Sequence, residues 1–434
     1  MNERDSEAAA AMLTEQGYEM TEREDDADIL IFNTCSVREQ AENKAIGKIG
    51  ILQRLKRIKP DIFIGVMGCM AQNRGQELLD KLPHLDFVIG TGKLHMLPEI
   101  VNAEVKKRHR ELQIEDDVSV LTGLGAHYKV SKEKVSAFIA IMRGCNRFCT
   151  YCIVPYVRGR EKSRTIPDIM QEARELVANG IKEICLLGQN VAAYGLDGKA
   201  VSPDSNYSPF AELLTELNKI DGLARIRFTS PHPAYFNDTL IDAIASLSKV
   251  CKSVHLPLQS GSDRILKLMN RNYTSAQYME IVNKLKNKVP KITFSTDVIV
   301  AFPGETEEDF NATRKIMNDV GFDNAYIFKY SPRKGTKAAD MPDQVPQKTK
   351  EKRNQLLLGD LAKRCAKHNS EMVGHSYEVL TEGPSKRNAE KWSGRASNNK
   401  MVIFAPVSSL EKGDLVNVAI KRCTSMTLFG QIVD

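Results

Sequence analysis

Three cysteines lie close together in one short stretch of this sequence: Cys145, Cys149 and Cys152, in the pattern C-x3-C-x2-C. One loop can wrap three such thiolates around a single 4Fe–4S cluster. A cluster that only transfers electrons normally has four cysteine ligands, so three leave one iron open to a small molecule. S-adenosylmethionine (SAM) suits that iron best, because its amino and carboxylate groups can chelate it and an electron from the cluster can cleave it. The spacing therefore predicts radical chemistry on SAM.

Zinc and disulfide bonds are the alternative interpretations of the same cysteines. Zinc needs four ligands, and no cysteine or histidine lies close enough in the sequence to supply the fourth from this loop. Disulfides would leave an odd thiol and need an oxidising compartment. The N-terminus, MNERDSEAAA, lacks the apolar stretch of a signal peptide, so nine cysteines indicate a reducing cytoplasm.

The composition is that of an ordinary globular protein. The chain has 434 residues, of which 42% are apolar and 27% charged. This length exceeds what one hydrophobic core usually fills, so we expect two or three domains. No run of about eighteen apolar residues occurs, so we expect no membrane span. The net charge of +6 gives weak support for a polyanionic partner.

The first 105 residues or so alternate between strand-like and helical patterns. We predict strands at 29–34, 62–68 and 87–90, and a helix at 39–59. Strands that alternate with helices indicate a small parallel sheet. The charged tract 104–117 shows neither period and is predicted to be a linker.

The same alternation returns near residue 133 and continues for some 200 residues. The predicted strands are 137–142, 184–187, 225–228, 253–256, 293–301 and 325–329, and the helices 166–179, 209–219, 237–247, 273–288 and 307–319. Six such units indicate a partial barrel, whose active site lies at the carboxyl ends of the strands. Polar tripeptides follow four of these strands: Gly188-Gln189-Asn190, Ser230-Pro231-His232, Gln259-Ser260-Gly261 and Pro303-Gly304-Glu305.

The last part of the chain has a different character. A long basic helix, 348–367, leads to short alternating strands at 376–380, 401–404 and 415–420. This pattern is typical of a small antiparallel barrel. The predicted fold class is therefore α/β, with a small parallel α/β domain (1–117), a partial (β/α)6 barrel (131–366) and a small antiparallel β-barrel (370–434).

Cys35 and Cys69 each follow a strand-like run of the first domain. Because the ends of neighbouring parallel strands lie side by side, the two thiols could face one pocket. Considered alone, each cysteine is better explained as a small buried residue at the end of a strand. Two thiolates are also too few ligands for a cubane cluster. The other four cysteines lie in strand or helix runs and are predicted to be core residues: Cys185, Cys251, Cys365 and Cys423.

The sequence resembles one family along essentially its whole length, the radical-SAM methylthiotransferases. The matching stretches are Asp5-Ser6-Glu7, Asn33-Thr34-Cys35, Gly68-Cys69-Met70, 143–152, 157–164, 187–191, 256–262, 297–306, Gly394-Arg395 and Gly413-Asp414. The resemblance implies an N-terminal methylthiotransferase domain, a radical-SAM barrel and a C-terminal TRAM domain that binds RNA. It also implies two 4Fe–4S clusters, one on Cys145, Cys149 and Cys152 and an auxiliary one on N-terminal cysteines.

The N-terminus resembles the branch of the family that acts on N6-dimethylallyladenosine in tRNA, because Met1-Asn2 precedes the Asp-Ser-Glu motif. The family holds its auxiliary cluster with three cysteines, of which this sequence has Cys35 and Cys69. The third would fall two residues before Met1. We therefore expect translation to start upstream, and we expect the chain as given to be impaired in sulfur insertion.

The implied reaction adds a methylthio group to C2 of N6-dimethylallyladenosine beside the anticodon. One SAM would methylate the sulfur, and a second would give the adenosyl radical that removes the C2 hydrogen. Two alternative substrates are threonylcarbamoyladenosine in tRNA and an aspartate of a ribosomal protein. The expected partners are the tRNA anticodon stem-loop and a reductant such as flavodoxin or ferredoxin, and the protein is expected to be monomeric.

The resemblance and the strand-end positions together give candidate binding residues. The candidates for SAM binding are Tyr151, Gln189, Asn190, Gln259, Ser260 and Asp297. The alternative is that these side chains only cap loops. The candidates for RNA binding are Arg158, Arg160, Lys162, Arg164, Trp392, Arg395 and Lys400. The alternative is that they are ordinary solvent-exposed residues.

Overall fold

The computed structural model describes residues 1–36, 39–107, 111–114, 121, 125, 134–199 and 205–433. The chain divides into two compact units. Unit 1 comprises Met1–Val130, Ala140–Arg164 and Ser331–Ala339, and unit 2 comprises Ser131–Ile139, Thr165–Tyr330 and Asp340–Asp434. The predicted domain boundaries at 117 and 131 lie outside the described residues.

Unit 1 is built on a four-stranded parallel sheet in the order β1-β2-β3-β4. The strands are β1 (Ile29–Thr34), β2 (Phe63–Gly68), β3 (Phe87–Ile89) and β4 (Glu111–Gln113), and the helices are α1 (Asn2–Glu15), α2 (Glu39–Ile58), α3 (Cys69–Lys81) and α4 (Leu97–Lys107). Ile64 and Val66 of β2 pack into one apolar cluster, whereas Phe63 and Met67 pack into another. Side chains that alternate along a strand point to opposite faces, so this sheet has a core on both sides.

The tract 104–117 is not a simple linker, and that prediction was wrong. Helix α4 continues to Lys107, and β4 adds a fourth strand that pairs with β3 from Phe87↔Glu111 to Ile89↔Gln113. The strand was missed because three residues are too few to show a period of two. Helix α1 was also not predicted.

Two short strands and a helix of unit 1 flank the three closely spaced cysteines. Strand β6 (Met142–Arg143) pairs antiparallel with β7 (Lys162–Ser163), and α5 (Val154–Arg158) lies between them in the chain. The cysteines lie in the loop 144–152, called the cysteine loop below. Both of its ends are therefore attached to regular structure.

Unit 2 contains the parallel strands of the predicted barrel. They are β5 (Ser136–Ala140), β8 (Glu183–Leu187), β9 (Arg225–Phe228), β10 (Ser253–His255), β11 (Thr293–Val300) and β12 (Asn324–Lys329). They form the sheets β5-β8-β9 and β10-β11-β12, and a parallel bridge from Ile226 to Val250 links β9 to the segment before β10. The partial barrel predicted from the alternating pattern is confirmed.

The helices of this barrel begin where the sequence supplies a capping side chain. They are α6 (Ile166–Ala178), α7 (Pro209–Asn218), α8 (Asp238–Ser246), α9 (Asp263–Leu268), α10 (Ser275–Lys288) and α11 (Glu307–Val320). Helix α10 starts two residues later than predicted because Thr274 caps it, accepting the N–H of Gln277. Tyr273 is instead buried, and its hydroxyl donates to the carbonyl of Leu258 at 2.9 Å.

The end of the chain forms a closed five-stranded barrel after the long helix α12 (Gln347–Glu371). Its strands are β13 (Ser376–Ser385), β14 (Asn388–Ala396), β15 (Met401–Phe404), β16 (Leu415–Cys423) and β17 (Thr427–Val433), in the order β13-β14-β15-β17-β16. The small barrel was predicted correctly from three of these strands. The sequence analysis missed β14 and β17.

Within unit 2, the small barrel is attached to the amino-terminal ends of the large barrel's strands. Arg225 donates to the carbonyl of Glu378 at 3.1 Å, and Arg227 donates to the carbonyl of Ala396 at 2.9 Å. Arg227 also pairs with Glu183 at 2.7 Å. No helix in the described part of the chain is long and apolar enough to cross a membrane.

Candidate functional site

The cysteine loop of unit 1 is held by backbone contacts at its start and near its end. The N–H of Cys145 donates to the carbonyl of Gly159 at 3.0 Å, and the N–H of Cys152 donates to that of Cys149 at 2.9 Å. Gly144 has a φ of 80°, and a Cβ there would lie 2.0 Å from the carbonyl oxygen of Arg160. Only glycine permits this approach, so the loop's entry is fixed by the backbone.

Side chains around the cysteine loop stabilise its shape. Glu161 accepts the backbone N–H of Asn146, and the Asn146 side chain accepts the N–H of Glu161 at 3.2 Å in return. Phe148 has a φ of 44° and meets Tyr156 edge-on at 5.8 Å. The guanidinium of Arg160 lies 4.5 Å from the centre of the Phe148 ring. These contacts hold the loop in one shape.

The donor set of the cysteine loop fits a 4Fe–4S cluster. All nine cysteines of the chain are described, and all have reduced thiols. Within the described residues, no three Cys, His, Asp or Glu side chains converge tightly enough for a single metal ion. A cubane cluster does not need that convergence, because each thiolate binds a different iron. Three thiolates suit a cluster with one open iron, whereas a structural zinc site needs a fourth ligand.

Cys35 and Cys69 follow directly paired strand residues in unit 1. Thr34 of β1 is the register partner of Gly68 of β2, and the Thr34 hydroxyl donates to the carbonyl of Met67 at 2.9 Å. The next residues along the two strands are the two cysteines. The expectation that these thiols lie at neighbouring strand ends is confirmed, whereas their shared ligand is a proposal made below.

Arg158 is buried beside Cys69, contrary to its predicted place on an RNA-binding surface. Its side chain is 3% exposed. It pairs with Asp5 at 2.6 Å, and its Nε donates to the Cys69 sulfur at 3.2 Å. We predicted a surface position for Arg158 because four basic residues follow the cysteine loop. Arg158 is buried instead because it pairs with Asp5, which lies 153 residues away in the chain. We therefore remove Arg158 from the RNA candidates.

The Asp5–Arg158 pair is charged despite its burial. Burial opposes ionisation of both groups, but the mutual attraction is stronger. It lowers the pKa of Asp5, with help from Arg143, and it raises the pKa of Arg158, with help from Cys69. A buried ion pair is costly to desolvate, so its presence beside a cysteine indicates a function.

The carboxyl ends of the barrel strands in unit 2 have strained backbone. Ser230, Gln259 and Ala301 have φ values of 58°, 63° and 57°, in the left-handed region that residues other than glycine rarely adopt. Glu305 holds Ala301 by accepting its N–H at 2.8 Å. Strain of this kind is typical of functional sites.

Gln259 and Asp297 are adjacent at these strand ends. The N–H of Gln259 donates to the carbonyl of Asp297 at 2.8 Å, and the N–H of Ile299 donates to the carbonyl of Gln259 at 3.0 Å. The Asp297 carboxylate also lies 3.2 Å from Nε2 of His255, whose Nδ1 lies 3.0 Å from the hydroxyl of Ser295.

His255 and Tyr326 are neighbours of Asp297 that were not among the predicted site residues. The Tyr326 ring lies 6.1 Å from the ring of His255 and is about half exposed. Both side chains lie on the half-exposed face of β10, β11 and β12, where buried and half-exposed residues alternate along β11. The alternating polar residues of 253–256 and 293–301 were the available signal.

The remaining SAM candidates differ in their surroundings. Asn190 is buried, and its side-chain oxygen accepts the backbone N–H of His232 at 3.0 Å, so it joins two strand-end loops. Ser260 is fully buried, with its hydroxyl 3.2 Å from that of Thr313 in α11, and it is better explained as a packing residue. Gln189 and Tyr151 are half-buried.

The predicted RNA contacts in the small barrel are only partly exposed. Lys400 is buried and pairs with Asp323 at 3.5 Å, so its predicted contact with RNA was wrong. Trp392 packs against the apolar core of the small barrel. Arg395 is half-exposed and pairs with Glu382 at 3.2 Å.

In unit 1, two of the four basic residues after the cysteine loop stay exposed. These are Arg160 and Lys162. Arg164 is half-buried, and one of its guanidinium nitrogens donates to the carbonyl of Ala140 at 3.0 Å.

Three family models match the chain in succession. Residues 1–90 match the uncharacterized protein family UPF0004, residues 139–317 match the Radical SAM superfamily, and residues 370–433 match the TRAM domain. The cysteine loop and the strained strand ends both fall within the radical SAM match.

Relatives match over the whole chain. A tRNA-2-methylthio-N(6)-dimethylallyladenosine synthase from Akkermansia muciniphila is 44% identical over 99% of this chain and 96% of its own length. One from Carboxydothermus hydrogenoformans is 46% identical over 100% of this chain and 97% of its own. The chain belongs to this family. This chain also matches the Radical SAM superfamily over residues 139–317, so it is an enzyme with an iron–sulfur cluster and SAM as cofactors.

A solved structure supports the fold. The radical S-adenosylmethionine methyltransferase TsrM from Kitasatospora setae, solved with cobalamin and a 4Fe–4S cluster bound, is similar with a TM-score of 0.58. The likeness covers 83% of this chain and 75% of that one at 13% identity. At that identity it shows a shared fold and nothing about the substrate.

Proposed function

We propose that this chain adds a methylthio group to C2 of N6-dimethylallyladenosine, next to the anticodon of tRNA. The observation that carries the proposal is the match to synthases of this name along the full chain at 44–46% identity. The intact cysteine loop within the radical SAM match supports the same chemistry.

The cysteine loop would hold the cluster that acts on SAM, through Cys145, Cys149 and Cys152. When bound, that cluster and SAM supply a radical strong enough to break an unactivated C–H bond. The chain's own residues would position the reactants and exclude water. Gln259 and Asp297 would orient SAM, the buried strand ends would exclude water, and the fixed loop backbone would keep the open iron in place.

Cys35 and Cys69 would be two of the three cysteine ligands of a second, auxiliary 4Fe–4S cluster that carries the sulfur to be inserted, and the third cysteine is not in the given sequence. Support comes from their adjacent strand ends and from the buried Arg158 beside Cys69. Cys69 is also the first residue of α3. The amino terminus of a helix carries partial positive charge, which favours an anionic ligand.

Exposed cations on each unit would bind the tRNA phosphates. On unit 1 these are Arg160 and Lys162. On the small barrel they are Lys386, Arg387, Lys421 and Arg422, together with the partly exposed Arg395. Arg422 lies 3.6 Å from the centre of the Phe429 ring, a cation–aromatic pair of the type that single-stranded RNA readers use.

We propose a cytoplasmic monomer that works on the anticodon stem-loop and receives electrons from a flavodoxin or ferredoxin. We also propose the domain division 1–117, 131–366 and 370–434, which is compatible with the three family matches.

Deletion of the gene, followed by mass spectrometry of tRNA nucleosides and ribosomal proteins, tests the substrate. We expect N6-dimethylallyladenosine to accumulate as its methylthio derivative disappears. Loss of the methylthio group from threonylcarbamoyladenosine, or from a ribosomal-protein aspartate, would assign the chain to another branch of the methylthiotransferases.

A further inference from the structure

We infer that His255, oriented by Ser295, is a positioning residue for the Asp297 carboxylate in the large barrel of unit 2. The inference rests on the proposed function, in which Asp297 and Gln259 orient SAM. It adds two residues that act through Asp297, and it names what the carboxylate offers: a fixed acceptor for an N–H or O–H group of an adenosine.

The three residues lie on one face of two neighbouring strands. His255 is the last residue of β10 and the register partner of Ser295 in β11. Asp297 lies two residues further along β11. Side chains two residues apart on a strand point to the same side of the sheet, so all three share the half-exposed face. There, 16% of the His255 side chain and 30% of the Asp297 side chain remain exposed.

A chain of hydrogen bonds joins these side chains in order. Nδ1 of His255 lies 3.0 Å from the hydroxyl oxygen of Ser295, and Nε2 lies 3.2 Å from Oδ2 of Asp297. An ionised carboxylate only accepts hydrogen bonds, so Nε2 carries the hydrogen that it donates. In the neutral ring Nδ1 is then an acceptor, to which the Ser295 hydroxyl donates. Because both ring nitrogens are held, the imidazole fixes the direction of the carboxylate.

The second oxygen of Asp297 is left for a ligand. Among the described residues, the carboxylate has one hydrogen-bond partner, His255, and it uses Oδ2. A fixed and partly exposed carboxylate oxygen can accept from the amino group or the ribose hydroxyls of an adenosine. SAM and the substrate nucleotide of tRNA both contain an adenosine, so either can supply this group.

The neighbours of Asp297 leave room for an adenosine. On one side, the N–H of Gln259 donates to the Asp297 carbonyl at 2.8 Å, and Gln259 has a left-handed φ of 63° at its strand end. On the other side, Tyr326 of β12 is the register partner of Asp297. The Tyr326 ring is about half exposed and lies 6.1 Å from the ring of His255. An exposed aromatic ring beside an acceptor provides a surface on which a base can stack.

The different partners of the two ring nitrogens allow a sharp test with three variants. In His255→Gln the amide nitrogen can reach the position of Nε2 and donate to Asp297. In His255→Asn it lies near the position of Nδ1 and can reach only Ser295, and His255→Leu supplies no donor. A hydrogen bond to a charged group commonly contributes about tenfold or more to binding. We therefore expect about tenfold weaker ligand binding in His255→Asn and His255→Leu, and near-parent binding in His255→Gln.

Three measurements are made on the full chain. Equilibrium dialysis of the reconstituted protein, without a reductant so that no SAM is cleaved, gives the affinity for SAM. Binding of an anticodon stem-loop RNA that carries N6-dimethylallyladenosine is measured on the iron-free protein. Crystal structures of the iron-free variants give the rotamer of Asp297, which we expect to change in His255→Asn and His255→Leu.

His368→Leu is the matched control. His368 and Asp323 form a second histidine–aspartate pair of unit 2, with the same separation of 3.2 Å as the His255–Asp297 pair. Asp323 directly precedes β12, at the amino-terminal end of that strand. Breaking this pair removes a contact of the same kind away from the carboxyl ends of the strands, so all three measurements should match the parent.

The outcomes separate the inference from the proposed function. Equal binding in the three His255 variants, whether lowered or unchanged, or an unmoved Asp297 carboxylate overturns the positioning role. If Asp297→Ala still weakens SAM binding, Asp297 then keeps its role in the proposed function. The expected pattern confined to the RNA supports the positioning role and assigns the acceptor to the tRNA nucleotide. If Asp297→Ala binds both ligands as the parent does, its proposed role and the inference fail together, while the tRNA nucleoside analysis still tests the reaction separately.

Discussion

Gly144→Ala should disrupt the cysteine loop far more than an equivalent change elsewhere. Gly144 has a φ of 80°, and a Cβ built there lies 2.0 Å from the carbonyl oxygen of Arg160 and 2.6 Å from that of Gly159. Both obstacles are backbone atoms, so no side-chain rotation relieves them. To reach the 3.0 Å below which Cβ contacts essentially never occur, the chain must move by about 1 Å.

Gly180→Ala is the matched control for this substitution. Gly180 has a φ of 95°, but nothing lies within 4 Å of the Cβ position. Both variants bear the conformational cost of a left-handed alanine, about 1–2 kcal/mol. Only Gly144→Ala adds the cost of overpacking, about 1–3 kcal/mol. The difference between the two free energies of unfolding isolates the steric term.

The functional consequence is the more sensitive readout. A displacement of about 1 Å in a reacting geometry can lower a rate about 100-fold. We expect Gly144→Ala to lose iron and to cleave SAM to 5′-deoxyadenosine at least that much more slowly, while Gly180→Ala retains both properties. Equal unfolding free energies, with full iron and full SAM cleavage in Gly144→Ala, would refute this explanation of how the loop is fixed.

Three further predictions concern other parts of the chain. Burial raises the pKa of Glu305 to about 7 from its ordinary 4.5, so the stability that this group contributes is lost as the pH rises toward 7. Urea unfolding of the iron-free protein should therefore show a smaller difference in stability between about pH 5.5 and about pH 8 in Glu305→Gln than in the parent chain, by about 2 kcal/mol. Arg227→Gln should cost about 3–5 kcal/mol and expose the small barrel to limited proteolysis, because it leaves a buried carboxylate unpaired. Alanine at both Arg160 and Lys162 should weaken tRNA binding and lower its salt dependence by about one slope unit per lost phosphate contact.

Each of these predictions has its own control. An unchanged pH dependence in Glu305→Gln would mean that this carboxyl is ionised in the native state. Arg314→Gln breaks a half-exposed pair with Asp360 and should cost no more than about 1 kcal/mol. A loss of stability in Arg227→Gln that is no larger than this would contradict the buried role of Arg227. Lys315→Ala changes a lysine already paired with Asp319 (2.6 Å) and should leave the salt dependence of tRNA binding unchanged. If the salt dependence is also unchanged in the Arg160 and Lys162 variant, those two residues do not contact tRNA phosphates.

Most of the fold could be predicted from the sequence because its strands are buried and its helices are capped. The strand at Arg225–Phe228 was predicted at its exact bounds, and the barrel helices mostly within one or two residues. Failures occurred where local pattern is weak. Strand β4 has three residues and lies in a charged tract, and β14 is largely exposed, so neither shows an apolar period.

The candidate site was predictable in its cysteines and much less so in its surroundings. The spacing of Cys145, Cys149 and Cys152 is local, so it can be read directly. Burial of Arg158 and Lys400 depends on partners 153 and 77 residues away, and a basic residue gives no local sign of such a partner. The left-handed residues at the strand ends were also hidden, since serine, glutamine and alanine carry no signal for that backbone.

SAM cleavage by cysteine variants tests the central claim most directly. The reconstituted protein is given dithionite and SAM without oxygen, and 5′-deoxyadenosine and bound iron are measured for the parent chain, for Cys149→Ala and for Cys423→Ala, a half-buried cysteine at the end of β16. If the cysteine loop holds the radical-generating cluster, Cys149→Ala should produce no 5′-deoxyadenosine and bind less iron, while Cys423→Ala should match the parent. Full iron loading and undiminished SAM cleavage in Cys149→Ala would contradict the account.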